Sequence, residues 1–153
     1  MLYVISELNY EYNDNYYFGG ELINKNINCF VDLELAKQNK IELEKKAMFD
    51  NFIRDSSFYV EDGFQFNDLA QEDLDFLHSK IGTFSEEDAD AFGFLDKIRE
   101  FFASGKDRYG KNIINKSFND LNDDEKRIIE IMVECCSTEF YTISSVEVID
   151  AFS

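Results

Sequence analysis

Apolar and polar positions alternate from Leu2 to Leu8, with Tyr3 and Ile5 on one face, and this period of two predicts a strand. A polar, tyrosine-rich stretch follows, in which Asn13 to Asn15 predicts a turn and Gly19-Gly20 a break. Ile27 to Val31 reads as a second strand, so the first 31 residues form an antiparallel hairpin or meander. The period then changes. Asp32 is placed to cap a helix whose apolar stripe is Leu33, Ala36, Ala47, Met48, Phe52 and Ile53, with Asn39 as the point where it breaks in two. Phe58 to Phe66, with Asp62-Gly63 between aromatic runs, predicts a small hairpin.

Three more helices follow from the same logic. Asn67 or Asp68 starts one that runs to Ile81 and stops at Gly82, with Ala70, Leu74, Leu77 and Ile81 on its buried face. Ser85-Glu86-Glu87-Asp88 opens another, which carries Ala89, Phe92, Leu95, Ile98, Phe101 and Phe102 and ends between Ser104 and Gly105. Lys106 to Lys116 is basic, contains glycine and reads as a loop. Asn122-x-x-Glu125 is a capping box for the last helix, through Ile128, Ile129, Met132, Val133 and Cys136. Phe140 to Ile149 is rich in β-branched and aromatic residues and predicts a strand, against the alternative that Ser144-x-x-Glu147 caps a short helix.

Strands at both ends with helices between them predict an α+β fold. A small antiparallel sheet of N- and C-terminal strands packs with about four helices, and residues 1–153 form a single domain. The 153 residues suit one core, and sixteen Phe and eight Tyr supply it. Pro is absent, and Asn, Lys, Ile, Phe and Tyr are abundant, as expected of a chain from an AT-rich bacterium, phage, large virus or protist. The three cysteines, Cys29, Cys135 and Cys136, lack the spacing of a disulfide framework. With no signal-like start and no long apolar run, the expected location is cytoplasmic and reducing, in the host cytoplasm for a viral protein.

Charge changes the picture most. Thirty-two acids against fifteen Lys and Arg give a net −17. Such a chain is expected to bind neither nucleic acid nor an anionic membrane directly, because phosphate polymers are held by Lys and Arg. The excess is uneven: residues 51–100 hold thirteen acids and four bases. There Asp68, Glu72 and Asp75 stand at i, i+4 and i+7, opposite the apolar face, and Glu86, Glu87, Asp88 and Asp90 crowd the start of the next helix. These seven carboxylates are the candidate partner-binding residues. Acids also suit a helix N-terminus and any solvated face, which is their plainer explanation.

Other chemistry is weaker. His78 is the sole histidine and has no nucleophile motif beside it. A zinc set of His78, Cys29, Cys135 and Cys136 lacks ligand spacing, and Asp120 to Glu125 fails the EF-hand pattern at its sixth and twelfth positions. No cofactor or metal is expected. Tyr10, Tyr12, Tyr16 and Tyr17 offer either a contact surface or cross-strand pairs within the hairpin, the second being favoured. The expectation is an acidic protein-binding module, not an enzyme, whose partner is a basic protein such as a nucleic-acid-binding enzyme. A phage counter-defence inhibitor, nucleic-acid mimic or immunity protein would have this character. A structural subunit of a larger assembly and a small enzyme with an unrecognised site are the alternatives.

Overall fold

A computed structural model describes residues 1–12, 17–54, 64–67, 69–84, 91–137 and 139–147. The fold is α+β, and its three-stranded antiparallel sheet joins the two ends of the chain in the order β2-β1-β5. Strand β1 (Leu2–Tyr12) is central, between β2 (Tyr17–Phe30) and β5 (Tyr141–Val146). Ile5 lies opposite Ile143 and is fully buried. Pairing with β2 slips at three points along β1. Gly19 and Gly20, expected to break the chain, lie inside β2, with Gly19 opposite Tyr10. Glycine in a strand accompanies irregular pairing, and here it sits beside one of the slips without ending the strand. The turn expected at Asn13 to Asn15 falls outside the described residues.

Helix α1 (Leu33–Met48) packs on the sheet. Asp32 caps it as expected, its Oδ1 accepting the N–H groups of Glu34 at 2.8 Å and Leu35 at 3.4 Å. Asn39 does not break α1. Its side-chain oxygen accepts from Asn28 Nδ2 at 2.8 Å, so it binds the neighbouring strand and does not compete with its own backbone. The helix runs on into a π-helical turn, Phe49–Arg54, which turns Phe49, Phe52 and Ile53 into the core.

The predicted Phe58 to Phe66 hairpin is described only from Phe64. That residue bridges to Cys136, and Gln65 N–H donates to Cys135 O at 2.8 Å, so this segment pairs with a distant part of the chain. Helix α2 (Gln71–Ile81) starts later than the Asn67 or Asp68 start, because Leu69 N–H closes a turn onto Phe66 O and Ala70 takes the N-cap position. Ala70 is consequently exposed, leaving Leu74, Leu77 and Ile81 for the core. Gly82 ends α2 with φ at 92°, a conformation glycine accepts without strain.

Helix α3 (Ala91–Phe102) follows, its expected start at Ser85 lying outside the described residues. It stops before Ser104 because Ser104 N–H donates to Ile113 O, leading the chain into a two-stranded ribbon. The ribbon, β3 (Gly105–Lys106) with β4 (Asn112–Ile113), replaces the loop expected over Lys106 to Lys116, and Gly105 is part of a strand and caps no helix. After a short 3-10 turn at Phe118–Asp120, α4 (Asp123–Cys135) opens with the predicted capping box. Asn122 accepts from Glu125 N–H, and Glu125 accepts from Asn122 N–H. The C-terminal segment is the strand β5, as its β-branched content predicts.

Phenylalanine dominates the core. Phe94 meets Phe66 and Phe64 edge-on at centroid distances of 4.8 and 5.3 Å, and Phe52 meets Phe64 and Phe140 at 5.5 and 6.0 Å. Ile128, Ile129, Ile131 and Met132 of α4 close this core, joining all four helices to it. Among the described residues, no helix is long and apolar enough to cross a membrane.

Candidate functional site

Helix α2 presents two of the seven candidate carboxylates. Glu72 and Asp75 are both exposed, while Leu77 on the other side of the helix is fully buried. Asp75 accepts a hydrogen bond from Gln71 Nε2 at 2.9 Å. Asp68, Glu86, Glu87, Asp88 and Asp90 lie outside the described residues.

Asp73, between the two, is drawn the other way. It accepts from the Arg127 guanidinium of α4, which also meets Glu130 and, at 3.6 Å, Glu134. Lys80 at the far end of α2 meets Asp124 at 2.9 Å, so two ion pairs fasten α2 alongside α4. Glu130 also approaches Lys45 of α1 at 3.5 Å, and Lys45 meets Glu42 at 2.8 Å. Burial pulls the pKa of Arg127 down, but Asp73, Glu130 and Glu134 more than offset it and hold the guanidinium above its ordinary value. Burial acts on Lys45 likewise and is outweighed by Glu42 and Glu130.

The electrostatic consequence is simple. Arg127, Lys45 and Lys80 are each engaged by carboxylates of the same chain. Arg127 faces three of them, which leaves net negative charge around it. Neither Glu72 nor Asp75 forms an ion pair among the described residues, so their charge is directed to solvent. The acidic surface therefore includes Glu42, Glu130 and Glu134, which the sequence reading did not select. The spacing of Glu130 and Glu134, one helical turn apart and three and seven residues after Arg127, was the signal available for two of them.

The remaining sequence candidates are scattered. His78 Nε2 is buried with no hydrogen-bond partner among the described residues, and its ring stands edge-on to Phe84 at 4.7 Å. A catalytic imidazole needs a group to orient it or to receive its proton, and this ring is packed against an aromatic. Cys29 is exposed on β2, Cys135 is buried in the core, and Cys136 begins the segment after α4, so the four suggested zinc ligands are not gathered at one point. Burial pushes the Cys135 thiol far above its ordinary pKa, with Cys136 and Glu134 adding to it, which makes it a packing residue. Of the tyrosines, Tyr12 and Tyr17 hold paired backbone positions on β1 and β2, and Tyr10 is paired with Gly19. Tyr16 lies outside the described residues.

Compared with protein-family models, curated proteins and solved structures, the chain matches none of them. Function is therefore read from its own residues.

Proposed function

We propose that the protein is an acidic binding module that occupies a basic, nucleic-acid-binding surface on a partner protein. The observation that supports this most is the outward, unpaired charge of Glu72 and Asp75, beside cations already engaged by Asp73, Asp124, Glu130 and Glu134. A solvated helix face usually mixes both signs, and a face whose cations are internally consumed offers a partner only carboxylates. A net charge of −17 would steer such a module quickly to a basic groove and make the complex sensitive to salt.

The test is charge reversal at Glu72, Asp75, Glu87 and Asp90 to Lys, which moves the net charge from −17 to −9 because each change replaces −1 by +1. A basic nucleic-acid-binding protein should be retained from a lysate of the source cells at low salt and released at high salt. The fourfold variant should bind it on the order of a hundredfold more weakly, each lost pair contributing a few tenths to one kcal/mol. Retention that ignores both salt and the four reversals would reject the reading and favour a structural subunit.

A further inference from the structure

The positive charge of this acidic chain is concentrated too. Lys106, Arg108, Lys111 and Lys116 fall within eleven residues that contain one acid, Asp107. That acid is turned onto the backbone of the ribbon tip. Its Oδ1 accepts the N–H groups of Tyr109 at 2.8 Å and Lys111 at 2.9 Å. Its own N–H donates to Lys111 O at 2.8 Å, and Gly110, at φ 81°, donates to Asp107 O at 3.0 Å. Four hydrogen bonds thus fix the tip, and glycine is the residue that accepts its positive φ.

Between this tip, the π-helical turn and α3 lies a cavity of about 230 Å³, walled by Arg54, Asp96, Arg99, Lys111 and Asn112 over Ile53. Among the described residues, three cations therefore meet one carboxylate. Arg99 is fixed as a wall, with Nε donating to Phe52 O at 2.8 Å and Nη1 at 3.9 Å from Asp96. Arg54 has Asp50 no closer than 3.9 Å, and Lys111 forms no ion pair among the described residues. Asn112 also lines the cavity, and its side-chain oxygen is buried with no hydrogen-bond partner among the described residues. In a chain that repels anions overall, an anion can bind only where local cations overcome the global field, and this concave surface is such a place.

We propose that this cavity binds a compact oxyanion, a phosphate group either free or carried on a small metabolite, with Arg54 and Lys111 as the residues that grip it. The volume is below the roughly 300–1,000 Å³ of pockets for larger ligands, which favours a small anion over a nucleotide. Charge-assisted hydrogen bonds from a guanidinium and an ammonium recognise phosphate oxygens.

The test is titration of the ¹⁵N-labelled protein with inorganic phosphate and with a sugar monophosphate, against chloride at matched ionic strength. Saturable shifts are expected at the amides of Gly110, Lys111 and Asn112. Tighter binding of the sugar monophosphate assigns the site to a metabolite, and equal binding assigns it to phosphate itself. The exposed substitutions Arg54→Gln and Lys111→Gln, made together, should leave the unfolding midpoint unchanged and weaken binding at least about tenfold. Shifts no larger than those from chloride, or undiminished binding by the double variant, would overturn the proposal.

Discussion

Among the described residues two carboxylates are buried, in regions that solve the same problem differently. Glu125 sits at the start of α4 and Glu44 near the end of α1, with 5% and 4% of their surface exposed. Glu125 is supported locally. Its Oε1 accepts the N–H of Asn122 three residues earlier, and Lys116 places an ammonium 3.0 Å from both oxygens. Glu44 reaches across the fold. Its oxygens accept the N–H of Phe140 at 3.0 Å, and Oε1 also accepts that of Tyr141 at 2.7 Å, while the nearest cation, Lys40, stands 3.9 Å away. The first carboxylate is neutralised by a cation and closes a helix end. The second is held mainly by backbone dipoles and fastens the chain entering β5 to α1. A buried charge can thus complete an element or join two of them, and only the second use ties the ends of the chain together.

Alanine substitutions should separate these uses. Glu44→Ala removes the carboxylate that accepts the N–H groups of Phe140 and Tyr141, and loss of a buried acceptor costs about 1–3 kcal/mol for each group it leaves unsatisfied. A loss of about 2–4 kcal/mol is expected. Glu125→Ala removes half of a capping box and frees a half-exposed lysine, which should cost about 1–2 kcal/mol. Urea unfolding of the two variants checks the order. Equal losses, or a larger one at Glu125, would show that the strand junction is not held through Glu44.

The same contrast explains what the sequence made legible. Asn122-x-x-Glu125, Asp32 and Gly82 are signals written within four residues of the structure they specify, and all three act as predicted. The strand at each end was readable because β-branched and aromatic alternation is also local. Glu44 was not. It lies on a helix as an ordinary acid, and its partners are 96 and 97 residues away. Phe64 shows the same limit, since its bridge to Cys136 joins positions far apart in the sequence. At the acidic face, helical periodicity correctly put Glu72 and Asp75 outside. It could not show that Asp73 turns to Arg127, because the packing of α2 beside α4 is a tertiary fact. The ribbon cavity was hidden for that reason too: Arg54, Arg99 and Lys111 are far apart in sequence, and each alone reads as a surface cation.

Glu44 should also show itself in the response of stability to pH. Burial raises the Glu44 pKa above its ordinary 4.5, more than the N–H groups of Phe140 and Tyr141 and the charge of Lys40 lower it, with Glu139 adding to the rise. The folded state therefore holds this proton more tightly than the unfolded chain does. That contribution to stability is complete below the unfolded pKa and is lost as pH rises through the higher folded one. Glu44→Gln keeps an oxygen at the Oε1 position for both N–H groups but cannot ionise. Relative to wild type, the glutamine variant should be more stable at about pH 7.5 than at about pH 5, because only the wild-type carboxyl must ionise as pH rises. Paired urea titrations at the two values cancel the carboxylates common to both proteins. A stability difference that stays flat, or that falls with pH, would mean that Glu44 is ionised in the fold at no cost.

The smallest effect is local and concerns the opening of the strand junction without global unfolding. Cys135 ends α4, five residues before Phe140 in the segment that Glu44 holds, and its thiol is buried with Sγ 3.6 Å from Met132 O. A thiol reagent reaches it only when this junction opens, so its labelling rate reports the opening free energy. With Cys29 and Cys136 changed to Ser, the Glu44→Ala variant should label Cys135 faster than Glu125→Ala does. The excess should persist after each rate is corrected for that variant's global stability. The lesion at Glu125 lies at the opposite end of α4, so its corrected rate should match that of wild type. If both corrected rates match wild type, Cys135 is reached only through complete unfolding, and the junction at Glu44 is part of the same cooperative unit as the helical core.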